Sequence, residues 1–434
     1  MAFDREEWNK RREERARRKE QAAKQQKKEL YVLCGIAGFL IMAIVAVLVI
    51  LLAGRGGNQP ETQPGDQTAQ TQTGETAPPT TVPPTTQSPD TVIHLVAGGD
   101  LNISEKVVAS GKTDTGYDYQ KLLVDVLPVL AEGDVTMLNF EGCVAGTPYG
   151  ADSAPAELLT ALDAAGVDLL QTANSRSVSN GLLGLTSTIS AIRAAGMEPV
   201  GTFASSQEFR KKGGFTMLEV QGIRIAVVAF TKGMDGRGIP AGSEDCVNLL
   251  YTDYNSTYQT VDTDGITKIL KNIADEEPDI TIAMLHWGSE YNNTISATQK
   301  KICELMQEQG VDAIIGTHPH YVQQMTLDEK TGQFVAYSLG DFLSDGTQSG
   351  TNYSALLDLQ ITKDGITGET KITGFDYTPI YMLDETENGG GLRLLRIREA
   401  MDAYHNQAVG GIPEVDFQAM TQALERLEAK IHGK

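Results

Sequence analysis

The sequence predicts an α/β protein, a layered sandwich of β-sheets flanked by helices. Three observations carry this. From Thr91 onward, short apolar runs alternate with helix-period segments. Several runs, such as Ile280–Leu285 and Val311–Ile315, are apolar at nearly every residue, as strands buried on both faces are. The runs also end in His, Asp, Glu or Asn, at the carboxyl edge where an α/β sheet presents its ligands.

The elements follow in chain order. Residues 1–29 mix Arg and Lys with Glu. Residues 30–54 are apolar and uncharged, and at about 1.5 Å per residue they cross a hydrocarbon layer of about 30 Å as one transmembrane helix. The stretch outruns the apolar region of a cleaved signal, and no small-x-small site follows it, so it reads as an uncleaved anchor. Residues 1–55 hold twelve Lys/Arg against seven Asp/Glu, nearly all before the span, which keeps residues 1–29 cytoplasmic and the C-terminal body outside the cell membrane. The chain's net charge is −21, leaving roughly −26 on the remainder, which argues against nucleic acid and anionic membrane surfaces as partners. Residues 55–90 are rich in Gln, Thr, Pro and Gly; they cannot bury a core and read as a disordered, partly polyproline linker.

Residues 91–385 form the expected extracytoplasmic domain. The strand Val92–Ala97 leads to Gly99-Asp100, and Val135–Leu138 leads to Asn139-Phe140-Glu141. Ser153 and Pro155 read as the N-cap and early proline of a helix over Ala156–Ala165, closed by Gly166. The strand Val167–Leu170, the helix Leu182–Ala195 and a short strand from Glu198 come next. Phe215–Val220 and Ile223–Phe230 form a hairpin at Gln221-Gly222. Helices at Ile266–Asp275 and Ala297–Gln309 flank the strand that ends at His286, and strands over Phe334–Leu339, Ala355–Ile361 and Ile366–Phe375 close the domain. Residues 386–434 are a C-terminal helical extension with one amphipathic helix, Val415–Ile431. Cys34 lies in the span, and Cys143, Cys246 and Cys303 lack metal spacing; one disulfide fits them, a framework does not.

Three of the six histidines, His286, His318 and His320, sit at strand ends. His318-Pro319-His320 on an extended segment aims two imidazoles at one site. With the carboxylates of Asp100 and Glu141, they make a mixed set suited to a borderline divalent metal such as Mn, Zn or Fe, or to a pair of ions. Asn174 closes another strand and reaches the same edge, Glu290 and Tyr291 offer substrate contacts, and Asp341 adds a carboxylate after Gly340.

These blocks together resemble the CapA family, capsule-synthesis proteins associated with poly-γ-glutamate, whose fold is similar to that of calcineurin-like metallophosphoesterases. The resemblance runs over about residues 93–346 and includes Gly99-Asp100, Asn139–Gly142, Ala154–Arg176, Gly181–Gly201, His286–Tyr291, Gly316–His320 and Tyr337–Phe342. It implies a membrane anchor with an outward-facing body, and Asp100, Glu141, His286, His318 and His320 as metal-site residues. Partners implied are an anionic cell-envelope polymer and other membrane-bound synthesis proteins. The family's Ala-Asn-Asn-His block reads Ala173-Asn174-Ser175-Arg176 here, its later Asp is Ser179, and its Gly-Asn is Gly340-Asp341. Arg176 then stands where the family has an acid or transition-state stabiliser; it cannot give up a proton but can hold a phosphate or carboxylate. The catalytic candidates are therefore His318, Arg176 and Asp341. Two readings stand: a metal-dependent hydrolase or transferase of phosphoester or γ-glutamyl amide bonds, or a catalytically impaired relative that binds polymer or assembles a complex.

Overall fold

The computed structural model describes residues 89–386, 390–407 and 412–433, together with Arg17. Apart from Arg17, the expected cytoplasmic segment 1–29 and the transmembrane helix 30–54 lie outside the described residues, as does the linker up to residue 88. Among the described residues no helix is long and apolar enough to cross a membrane.

The described strands are β1 (Thr91–Asn102), β2 (Val135–Glu141), β3 (Leu169–Gln171), β4 (Glu198–Val200), β5 (Thr216–Val220), β6 (Ile223–Thr231), β7 (Ile280–His286), β8 (Ala313–Thr317), β9 (Met325–Leu327), β10 (Phe334–Ala336), β11 (Asp341–Leu343), β12 (Tyr353–Lys363), β13 (Thr370–Asp384) and β14 (Leu392–Arg396). They form two mixed sheets. The first runs β14-β13-β12-β1-β2-β3-β4, with β11 added parallel to the end of β1, and the second runs β5-β6-β7-β8-β10-β9. Strands β1 to β4 are mutually parallel, as are β6, β7, β8 and β10, so both sheets present a row of carboxyl ends.

The two sheets pack face to face because their central strands are apolar on both sides. Along β6, Ile225, Val227 and Ala229 point into the inter-sheet core with Ile282 and Met284 of β7. The alternate residues Ala226, Val228 and Phe230 face the opposite way, against Ile266, Ile269, Leu270 and Ile273 of the helix Thr263–Ala274 and Ile302 and Met306 of the helix Ala297–Glu308. The period-2 strand pattern thus meets a 3.6-period helix face. The helix over 297–308 opens on a capping box in which Ser296 and Gln299 satisfy each other's backbone N–H groups. The predicted hairpin is present: Gln221 (φ 51°) and Gly222 (φ 80°) join β5 to β6, the left-handed pair that such two-residue turns require.

Three expectations need revision. Ser153 does not cap the helix Ala156–Ala165; that helix begins after Pro155 without a side-chain cap, and the Ser153 hydroxyl donates to the Gly146 carbonyl at 3.0 Å. The chain is still extended at Pro155 (ψ 148°), which puts Ser153 too far from the first turn. The segment 386–434 is not purely helical. Its run Leu392–Arg396 pairs antiparallel with β13, Ile380 opposite Arg396, and two helices follow, Ile397–His405 and Glu414–Ile431. Leu427 and Ile431 enter the inter-sheet core, and Met420 and Ala423 pack on Tyr381, Leu383 and Leu395, so the tail completes the fold. Cys143, Cys246 and Cys303 are all free thiols, each buried.

Candidate metal centre

The strand ends deliver the expected residues to one place. Asp100 lies near the end of β1, Asn139 and Glu141 close β2, and Asn174 and Ser175 follow β3. From the facing sheet, β7 ends at His286, and His318 and His320 follow β8. Asp341 opens β11, in register with Asp100. Every one of these side chains is buried. The backbone permits the approach because glycine precedes Asp100: a Cβ on Gly99 would sit 1.8 Å from the Gly340 carbonyl oxygen, which accepts the Asp100 N–H at 2.9 Å.

Hydrogen bonds fix the cluster. Asn139 donates to Asp100 Oδ1 at 2.5 Å and accepts from Asn174 Nδ2 at 2.9 Å, and Asn174 also donates to the Phe140 carbonyl. The His318 N–H donates to the other Asp100 oxygen at 2.9 Å. His286 Nε2 lies 3.0 Å from the Ser175 hydroxyl and 3.7 Å from Glu141 Oε1, while its Nδ1 faces Thr317 Oγ1 at 3.2 Å. His320 Nδ1 donates to Asp341 Oδ1 at 2.7 Å and lies 3.7 Å from Asp100. The rings of His286 and His318 are 4.5 Å apart. His318 (φ 92°), His320 (φ 58°) and Tyr291 (φ 53°) all hold left-handed backbone, a strain that persists where surrounding structure over-determines it.

Ligand atoms of Glu141, His286 and His318 lie within 4.8 Å of one another, as do those of Asp100, Glu141 and His320, and those of Glu290, His318 and His320. The groups overlap at Glu141, His318 and His320, giving room for one ion or two neighbouring ones. Two orphaned atoms test the fit. Glu141 Oε2 and His318 Nδ1 are buried with no hydrogen-bond partner among the described residues. A carboxylate oxygen and an imidazole nitrogen left bare inside a protein are costly, and a divalent cation satisfies both.

Burial and crowding shift the protonation states. Burial, then the neighbouring Asp100 charge, pushes Glu141 up to about 8, and burial raises Asp100 to about 6. Such crowding of acids is what a cation relieves. Burial drives His286 and His318 well below the usual imidazole range, keeping them neutral, the form that ligates metal. Burial would also lower His320, but Asp341, Asp100 and Glu141 together hold it well above that range.

The remaining candidates occupy the rim. The Arg176 guanidinium is about a quarter exposed and paired to Asp152 at 3.3 Å and Asp235 at 3.6 Å. Tyr291, 44% exposed, stacks on His320 with ring centroids 5.1 Å apart, and Glu290 is exposed beside it. Sequence reading did not assign two residues of this site. Asn139 links Asp100 to Asn174. Lys232, just past β6, lines a cavity of about 210 Å³ with Ser175, Tyr258, Ser289, Glu290 and His318, and burial depresses its ammonium pKa. Both stand at strand ends, the signal that located His286.

A family model described as "Bacterial capsule synthesis protein PGA_cap" matches residues 94–346. The chain is 27% identical over 208 residues to the PGA biosynthesis protein CapA of Bacillus subtilis (strain 168), covering 48% of this chain and 50% of that one. It is 28% identical over 216 residues to the capsule biosynthesis protein CapA of Bacillus anthracis, covering 49% of each. The chain thus spans about half the length of these curated relatives. Among solved structures it is similar to the calcineurin-like phosphoesterase YfkN from Bacillus subtilis, with a TM-score of 0.40 and 14% identity over 67% of this chain and 91% of that one.

Proposed function

The chain belongs to the bacterial capsule synthesis protein PGA_cap family, and from that membership we propose that it is a membrane-anchored, extracytoplasmic component in the making or processing of poly-γ-glutamate or a related anionic envelope polymer. Its site would hold a divalent metal and act as a hydrolase or transferase of phosphoester or γ-glutamyl amide bonds. The observation that carries this reading is the meeting of Asp100, Glu141, His286, His318 and His320 with two unsatisfied ligand atoms, inside the matched region. The apolar stretch 30–54 and the Lys/Arg excess that precedes it support the anchor and the outward placement.

In this reading Asp100, Glu141, His286, His318 and His320 hold the metal. A bound divalent ion would supply Lewis-acid polarisation of a phosphoryl or carbonyl oxygen. The chain's own groups hold and orient. Asn139 fixes Asp100, Thr317 and Ser175 bracket His286, and the Asp341 carboxylate sets the ring plane of His320 and raises its basicity, as carboxylates behind ligating histidines do. Tyr291 shields the face of His320, and Arg176 stands at the rim, paired with Asp152 and Asp235. Incubating the full-length protein and Mn²⁺ with phosphoester and γ-glutamyl oligomer substrates tests the activity. Turnover that disappears in folded His318→Ala supports it.

A second reading, a catalytically impaired relative that binds polymer or assembles a synthesis complex, is favoured by one observation. The position facing His286 Nε2 is the hydroxyl of Ser175, and Arg176 is engaged by Asp152 and Asp235. Metal binding without turnover on the same panel would select it.

A further inference from the structure

We propose that Lys232 binds the anionic group of the substrate, the cavity beside the metal centre taking one carboxylate- or phosphate-bearing unit. This deepens the reading above, on which it rests, by naming the subsite and the residue that reads the charge.

Lys232 is built into the site. Its N–H donates to the His286 carbonyl at 2.8 Å, so its position is tied to a candidate metal ligand. The next residue leaves it little freedom: a Cβ on Gly233 would meet the Tyr254 carbonyl oxygen at 2.1 Å. The ammonium donates to the Gly288 carbonyl at 2.8 Å and lies 4.6 Å from the centre of the Tyr258 ring. Among the described residues no carboxylate lies within 4.0 Å of it, and Glu290 and Asp235 act on it only from farther away. A partly buried cation loses hydration, and a carbonyl with a ring face returns only part of it. An anion in the cavity returns the rest.

The surroundings fit such an anion. Lys232 is the one Lys or Arg among the cavity-lining residues, and the hydroxyls of Ser175, Ser289 and Tyr258 add donors; of the two carboxylates in the lining, Asp235 is paired with Arg176 and Arg237, and Glu290 is exposed. The nearby guanidinium groups of Arg176 and Arg237 are both engaged with Asp152 and Asp235. His318 and Ser175 line the cavity and also belong to the metal centre, so a group held by Lys232 is presented to that centre. A compact ammonium serves carboxylate and phosphate alike, and at about 210 Å³ the space suits one such unit rather than a run of polymer.

The test is calorimetric titration of the full-length protein with a γ-linked glutamate trimer and, separately, inorganic phosphate, each with saturating Mn²⁺. Wild type is compared with Lys232→Met, Lys232→Gln and Lys232→Arg. The proposal expects Met and Gln to weaken binding about tenfold or more, with Arg within a few-fold of wild type. Mn²⁺ affinity should be unchanged or tighter in Lys232→Met, because a like charge has gone; a merely structural lysine would not give that result. If Met fails to fold, Gln, which keeps a donor for Gly288, carries the test. Wild-type affinity in Met or Gln overturns the proposal, as does a parallel loss of Mn²⁺ binding. Phosphate binding that needs Lys232 without any trimer binding keeps the subsite and rejects the γ-glutamyl polymer. A wild type that binds neither probe rejects both.

Discussion

Replacing Asp341 with Asn probes how the centre is held. The Asp341 and His320 side chains are 4% and 2% exposed and meet at 2.7 Å, so the contact is a buried, charge-assisted hydrogen bond. Asn keeps an acceptor at that place but removes the negative charge that makes the imidazole a stronger donor to a cation. Carboxylates behind ligating histidines typically carry about 10–100-fold in metal affinity, or about 1.4–2.7 kcal/mol. A smaller effect opposes this: Asp341 raises the pKa of its register partner Asp100, so the variant eases deprotonation of that ligand. The orienting term wins because it acts at contact, and the net expectation is weaker binding, with Asp341→Ala worse than Asp341→Asn. The assay is Mn²⁺ or Zn²⁺ titration against a competing chelator at pH 7.5, for each single variant, for His320→Ala and for the double variant. Because Asp341 works through His320, its loss should cost little once His320 is gone, leaving a coupling of about 1–2 kcal/mol. Unchanged affinity in Asp341→Asn, or effects that simply add, would refute the reasoning.

Other outcomes follow from the same geometry. Gly99→Ala forces a methyl group against the Gly340 backbone carbonyl at 1.8 Å. Denaturant unfolding should show a loss of about 1–3 kcal/mol or more, with weakened metal binding because Asp100 is displaced. Metal affinity should rise with pH between about 6 and 8.5, since Glu141 (about 8) and Asp100 (about 6) must lose protons to ligate. The metal-free protein should lose stability as pH rises from the ordinary carboxyl value of about 4.5 to about 8, and change little beyond that. A carboxyl whose folded pKa is raised stabilises the fold while protonated, so Glu141's contribution fades as pH climbs to about 8, read as a falling melting temperature. Leu427→Ala in the last helix removes a fully buried side chain from the inter-sheet core. It should cost about 2–5 kcal/mol in the same unfolding assay, whereas a dispensable tail would lose almost nothing.

The central layers were legible because their strands are apolar on both faces and stop at glycine or at a polar residue. Ile280–Leu285 and Val311–Ile315 come close to β7 and β8, and the Gln221-Gly222 turn is where its residue types require. The site was legible for the same reason: a His or Asp after a wholly apolar run has no solvent face to occupy. What escaped was set by tertiary contact. Leu392–Arg396 is five residues long, and only its pairing with β13 makes it a strand. Asn139 follows the apolar run Val135–Leu138, but its amide has meaning only when Asp100 and Asn174 arrive from other strands. Lys232 gains its role only in the fold, where Ser175, Tyr258, Ser289 and His318 arrive from distant parts of the chain to wall its cavity.

Metal content tests the account most directly. The full-length protein, dialysed against Mn²⁺, Zn²⁺ or Fe²⁺ and then against metal-free buffer, is measured by elemental analysis beside His318→Ala/His320→Ala. The account predicts stoichiometric divalent metal in the wild type and little in the double variant, with circular dichroism unchanged. A wild type that retains no divalent ion and takes up none on titration would contradict it.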